Sequence, residues 1–229
     1  MGLSGELSWF TREEMPLLAS LTPFSDYGIV GFVDGTRVRT VVSPSTFGFM
    51  NSGKIHETCF NIQVVTDTLG RFRQVVVGPP GTTHDSLIAD QYLVSRREHL
   101  GLGQRYFLGG DLGYVGARNA TCIFCPPQVA SLPDLTPQDK VLYTALFDRE
   151  WKRYRATIEH SIGILKRNWP FAGLPNRCIW TKRQHLLLPS FMCISLLQNR
   201  LWRLRESYCT QGVANTQLQL ATNYVIRHS

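Results

Sequence analysis

Hydrophobic and polar positions alternate most clearly along Phe60-Asn61-Ile62-Gln63-Val64-Val65-Thr66-Asp67 and again from Arg71 to Val77, with Leu69-Gly70 between them. Two alternating runs joined by a glycine turn predict an antiparallel hairpin. Upstream, Tyr27 to Val33 is a short, nearly continuous apolar run rich in β-branched and aromatic residues, which predicts a buried strand adjacent to the hairpin. Gly78-Pro79-Pro80-Gly81 ends the hairpin. Thr82 or Thr83 is then the expected cap of a helix from about His84 to Arg97. A fourth strand is expected over Tyr106–Tyr114 and a short fifth at Cys122-Ile123-Phe124. The stretch Arg37–Thr58, with its Pro, Ser, Gly and Asn, reads as an extended connection. Phe10–Leu21 carries helix formers behind Thr11 as an N-cap.

From Pro137 to about Trp169 the period changes to that of a helix. At 100° per residue, Trp151, Tyr154, Ile158, Ile162 and Leu165 fall within about 60° of one another, one stripe for the core. The order is three strands, a helix, a strand, a connection, a strand, then helices. That order defines an α/β protein and allows the ends of the first and fourth strands to be neighbours.

Three acids stand where this scheme meets. Asp34 closes the first apolar run and Asp111 the fourth, so each is expected at a strand end, and Glu159 lies on the edge of the helical stripe beside Arg155, Gly163 and Lys166. A buried carboxylate costs several kcal/mol unless a cation, a set of N–H donors or a metal ion faces it. The plainer alternatives are a turn cap at Asp34 and an i,i+4 ion pair between Arg155 and Glu159, worth a few tenths of a kcal/mol. Three converging acids favour a cation site, because two carboxylates about 4 Å apart repel by about 4 kcal/mol at an effective dielectric near 20. Oxygen ligands select magnesium or manganese.

Charge adds a partner class. Residues 1–148 hold 11 Lys and Arg against 14 Asp and Glu, a net of −3, whereas residues 149–229 hold 13 against 3, a net of +10. A basic C-terminal third suits a polyanion such as nucleic acid, with a merely solvated helix face as the alternative. The six cysteines are scattered as for free thiols, and Cys122 and Cys125 are expected on opposite faces of a strand as core residues rather than zinc ligands. The first fifteen residues lack the pattern of a secretory signal. The apolar stretch Leu186–Leu197 is broken by Pro189 and Ser190 and falls short of the roughly 18 residues of a membrane span, so a soluble protein is expected.

Five motifs in order resemble the catalytic domain of the Harbinger-type transposases, DDE superfamily endonucleases. They are Gly31-Phe32-Val33-Asp34-Gly35-Thr36, Asn61-Ile62-Gln63-Val64-Val65, Pro80-Gly81-Thr82-Thr83-His84-Asp85-Ser86, Leu108-Gly109-Gly110-Asp111-Leu112-Gly113-Tyr114, and Arg155 through Lys166. The resemblance covers about residues 28–200. It implies a ribonuclease H-like fold, a mixed five-stranded sheet with an antiparallel first three strands and flanking helices. It implies residues 1–27 as a helical extension, 28–206 as the endonuclease domain and 207–229 as a tail.

By the same resemblance Asp34, Asp111 and Glu159 are the catalytic and metal-binding triad, holding two Mg²⁺ or Mn²⁺ ions for phosphodiester cleavage of DNA, with strand transfer as a further step. His84 and Asp85 are accessory residues, and Lys152, Arg155, Lys166 and Arg167 are phosphate contacts. A separate Myb-like DNA-binding protein is the implied partner and the nucleus the implied location. The chain departs from the family at Arg37, where relatives commonly carry His, at His160, and at Leu197-Gln198-Asn199 in place of Leu-His-Asn. A domesticated DNA-binding or interaction module that keeps the fold without turnover is the competing reading.

Overall fold

The computed structural model describes residues 8–41, 51–52, 57–116, 121–126, 136–144, 148–168 and 178–179. Its central element is β1 (Ile29–Val41), which continues well past the apolar run. The continuation is held by β3 (Glu57–Asp67), which pairs with β1 antiparallel from Gly31↔Asp67 to Arg39↔Cys59. Asp34 is therefore inside a strand, opposite Val64, and not at a strand end as expected. The connection expected from Arg37 begins later for the same reason, with residues 42–50 outside the description.

β4 (Phe72–Pro80) completes the antiparallel hairpin against β3, and its Pro79 and Pro80 are tolerated because it pairs on one side only. On the other side of β1, β5 (Phe107–Gly109) and β6 (Ile123–Phe124) add in parallel. The order β4-β3-β1-β5-β6 is the expected mixed five-stranded sheet. Two short strands extend it, β2 (Asn51–Ser52) on β3 and β7 (Cys178–Ile179) on the end of β1.

Both faces of the sheet are covered, which is why Ile29, Val30, Phe32 and Val33 are all fully buried and the first run does not alternate. One face, carrying Val30, Val33, Val65 and Leu108, packs on α1 (Glu14–Ser20) and α2 (Asp85–Tyr92). The other, with Ile29, Phe32, Phe60, Ile62 and Val64, packs on α4 (Arg149–Asn168) through Trp151, Ile158, Ile162 and Leu165, the stripe read from the sequence. Each of those side chains contributes about 1.5–3 kcal/mol on burial. Trp151 makes edge contacts with Phe24, Phe32 and Phe124 at centroid distances of 5.2–5.7 Å. It fits only because Gly109 has no side chain; a Cβ there would stand 2.6 Å from Phe32 and 2.8 Å from Trp151.

Helix boundaries differ from expectation where capping decides them. Thr11 and Glu14 cap each other's backbone N–H, and α1 starts only at Glu14. α2 is capped by His84, whose Nδ1 accepts from Ser86 N–H at 3.3 Å, rather than by Thr82 or Thr83, and it ends at Tyr92 before a 3-10 turn at Val94–Arg96. Within the long C-terminal helical stretch the described α-helices are α3 (Pro137–Tyr143) and α4, with residues 145–147 between them outside the description. α3 opens on a reciprocal capping box between Thr136 and Asp139, a signal present in the sequence.

Beneath α1 lies the most buried charge cluster. Asp67 accepts from Leu69 and Arg71 backbone N–H (3.0 and 2.9 Å) and from Arg71 Nε and Arg73 Nε (2.6 and 3.1 Å). Arg73 continues to Glu14 of α1 at 3.1 Å, tying that helix to the hairpin.

Cys122 and Cys125 pack on one and the same core cluster, not on opposite faces, because β6 ends at Phe124. Burial pushes their thiols up to about 11 and about 12, and both are free. Among the described residues no helix is long and apolar enough to cross a membrane. The apolar stretch Leu186–Leu197, the motif Leu197-Gln198-Asn199 and the segment 207–229 lie outside the described residues.

Candidate active site

The parallel β1–β5 pairing stops at Phe32↔Gly109, and beyond it the two chains diverge. Such an opening at the carboxyl ends of strands is where α/β sheets present functional groups. Asp34 and Asp111 both lie here, Asp111 two residues past the end of β5.

Asp34 is half-buried, and among the described residues one N–H, that of Gly35, donates to its Oδ1 at 2.8 Å. Burial pushes its pKa from the ordinary carboxylate range up to about 6, with Asp111 and Glu159 adding to the rise and the Gly35 N–H and Arg155 opposing it. Asp111 caps the 3-10 turn Leu112–Tyr114, its Oδ1 accepting from Gly113 N–H at 2.8 Å. Glu159 reaches the same region from α4 and remains about half exposed, at 51%.

Between the acids stands a cation. Arg155 donates through one terminal nitrogen to Glu159 Oε1 and places the other 3.9 Å from Asp111 Oδ2. The i,i+4 pair weighed as the plain reading of Glu159 is thus present, but it is also bridged to the sheet. Arg155, one of the expected phosphate contacts, pairs with Glu159 and approaches Asp111 in this structure. Among the described residues no three Asp, Glu, His or Cys side chains stand close enough together to hold one ion. The donor set is nonetheless that of a hard cation, all carboxylate oxygen, and a guanidinium occupies the space two of them share.

The accessory residues separate. His84 serves α2, its Nδ1 also lying 2.8 Å from Ser86 Oγ. Asp85 belongs to the site: its carboxylate lies over Gly35, where a Cβ would stand 2.6 Å from Asp85 Oδ1. Asn61, which is buried, fixes this approach by donating to Pro80 O (3.1 Å) and Thr83 O (2.7 Å), the turn leading into α2. Tyr114, 1% exposed, has its hydroxyl pKa raised well above the usual value by burial and then by Asp85, Asp34 and Asp111. Sequence reasoning gave neither Asn61 nor Tyr114 a role, although both fall within the quoted motifs.

Gly35→Ala is expected to lower stability by about 1–3 kcal/mol through overpacking. Gly35→Ala combined with Asp85→Ala should recover most of that loss, since the obstructing carboxylate is gone; a double-mutant cycle in urea measures the coupling.

Of the remaining cations, Lys152 is exposed and paired with Asp148 at 2.7 Å. Arg167 is exposed. Lys166 is half-buried, and its ammonium is pushed down by burial and then by Arg37 and Arg39.

The fold and site define an α/β protein with carboxylates gathered where its mixed sheet opens. The chain belongs to the DDE superfamily endonucleases, whose family model matches residues 33–195, well over half of its length. The matched span contains all three acids of the candidate triad. No curated protein matches the chain, and no solved structure does.

Proposed function

We propose that this chain is a divalent-metal-dependent DNA endonuclease of the Harbinger type, with Asp34, Asp111 and Glu159 as its catalytic acids and Mg²⁺ or Mn²⁺ as its cofactor. The observation that carries this reading is the guanidinium of Arg155 drawn between Asp111 and Glu159, beside an Asp34 that one N–H leaves undersatisfied. The carboxylates are arranged around positive charge, and two ions, once bound, would supply Lewis-acid activation of water or a 3'-hydroxyl and stabilise the departing oxygen.

The protein's own groups set the stage for that chemistry. Gly35 N–H orients the Asp34 carboxylate, Gly113 N–H orients that of Asp111, and the rigid β1 and β5 backbones fix their separation. Glu159 rides on a helix anchored by four buried side chains, so its backbone position is set while its side chain stays free to swing from Arg155. Arg155 keeps the metal-free acids from repelling one another. A nuclear location and a separate Myb-like DNA-binding partner complete the proposal.

Arg155→Ala is expected to lower metal-free stability and to enlarge the stabilisation produced by Mn²⁺, because the competing cation is removed. Melting curves with and without Mn²⁺ check this; an equal Mn²⁺ shift in wild type and variant would show that Arg155 does not compete for the acids.

The bridging arginine also favours a second reading, a module that keeps the fold and has replaced its metal by an internal cation. Nicking of supercoiled plasmid in Mn²⁺ separates the two. The endonuclease reading expects nicking by the wild type and none by Asp111→Asn. A wild type that binds DNA yet never nicks it supports the module.

A further inference from the structure

α4 carries Glu159 to the sheet opening, and its seating depends on both of its flanks. Measured from Ile158, which faces the core, Arg155 and Glu159 lie about 60° and about 100° to one side of the helix, and Ser161 and Thr157 lie about 60° and about 100° to the other. The first flank meets Asp111, just past β5, through Arg155. The second meets the turn between β3 and β4. Ser161, 7% exposed, donates its hydroxyl to Gly70 O at 2.8 Å and to Thr157 O of its own helix at 3.0 Å. The hairpin lies on one side of β1 and β5 on the other, so the two contacts hold α4 from opposite sides of the central strand.

The turn fits this contact closely. Gly70 has φ +80°, and a Cβ on it would stand 2.9 Å from Ser161 Oγ and 3.1 Å from Thr157 Cγ2. The turn is itself fixed: Gly70 N–H donates to Asp67 O at 3.0 Å, and the buried Asp67 carboxylate accepts from the N–H groups of Leu69 and Arg71 on either side of the glycine. The Asp67 cluster therefore presents a rigid carbonyl to α4. The apolar stripe sets how closely α4 approaches the sheet, but apolar contact is non-directional and does not by itself fix the roll of a helix. A hydrogen bond weakens steeply as its angle departs from linear, so it supplies the missing direction. When Glu159 and Asp111 turn to a cation, the Arg155 tie between α4 and Asp111 is released, whereas the Ser161 contact lies on the other flank and persists.

We propose that Ser161 and Gly70 form a latch that fixes the roll of α4 and so holds Glu159 at the sheet opening. Ser161 is a positioning residue: it touches neither ion nor substrate and acts through the helix. The latch rests on the reading of Glu159 as a metal ligand and not on turnover.

The test is the Mn²⁺ affinity of the folded full chain, read from the electron paramagnetic resonance signal of free Mn²⁺ well below the melting temperature. Ser161→Ala and Gly70→Ala are each expected to weaken Mn²⁺ binding about tenfold, the lower end of the effect of residues that orient metal ligands. Val94→Ala, in the core on the face of the sheet away from α4, is the control: it should lower the melting temperature and keep the wild-type affinity. A merely structural serine would behave as Val94 does. Unchanged affinity in either latch variant, or an equal loss in Val94→Ala, would overturn the latch. A wild type that binds no Mn²⁺ overturns the metal-site reading and the latch with it. Weakened binding in the latch variants of a protein that never nicks DNA supports the latch while the endonuclease reading fails. Nicking by a wild type whose Mn²⁺ affinity is matched by Ser161→Ala overturns the latch alone.

Discussion

Asp34→Asn should abolish cleavage and, in the absence of metal, raise the melting temperature at neutral pH. The activity loss is expected on the order of 10³-fold or more, the scale on which removing a group that stabilises developing charge acts. The stability gain follows from the environment of the acid. Its pKa is raised from 3.8 to about 6 on folding, mainly by burial. Above pH 6 the ionised form is present in both states and is disfavoured in the folded one, so the penalty is complete there. As pH falls from about 6 toward 3.8 the folded protein takes up a proton that the unfolded chain does not, and the penalty fades. Two units correspond to about 3 kcal/mol, which solvent screening of a half-buried group reduces to about 1–2 kcal/mol. Asparagine has the same shape and no charge. The variant should therefore melt above the wild type at pH 7.5 and converge on it near pH 4. Plasmid nicking and melts across that range measure both effects; a variant less stable than the wild type at pH 7.5 contradicts the account.

Asp67→Ala should have the opposite consequence, a loss of about 3–5 kcal/mol. Asp67 is 0% exposed, and removing it leaves Arg73, whose side chain is 6% exposed, with Glu14 as its remaining acidic partner. Two backbone N–H groups lose their acceptor at the same time. The urea midpoint of unfolding measures this, with the slope unchanged if the unfolded state is unaffected. The two aspartates lie on paired strands, and Asp67 is the more buried, yet among the described residues it has four donors where Asp34 has one. Satisfaction by donors, more than burial, distinguishes the structural acid from the one left available to a ligand.

How the sequence reported these features depended on whether neighbours in the chain or neighbours in space decide them. The hairpin, the apolar first run and the α4 stripe are local periodicities, and each became the expected element. Asp34 was legible as an acid ending an apolar run. Its position inside a strand was not, because Gly35-Thr36-Arg37 has no apolar alternation and is held in β1 by pairing with Gln63, Ile62 and Asn61. The His84 cap was hidden by Thr82 and Thr83, the better capping residues, which Asn61 instead holds in a turn through the Thr83 carbonyl. Arg155 looked like one basic residue among several on α4. Only the arrival of Asp111 from β5 makes it a bridge. Asp85 likewise acquires meaning from a glycine fifty residues away that leaves room for its carboxylate.

The most direct test of the central claim, that Asp34, Asp111 and Glu159 together bind a divalent cation, is a thermal melt with and without Mn²⁺ on the wild type and on Asp34→Asn. An ion bound only to the folded state at 100 times its dissociation constant adds about 2.7 kcal/mol, a shift of several degrees. That shift is expected in the wild type and is lost in the variant. A flat response in the wild type, or the same rise in Asp34→Asn, would contradict it.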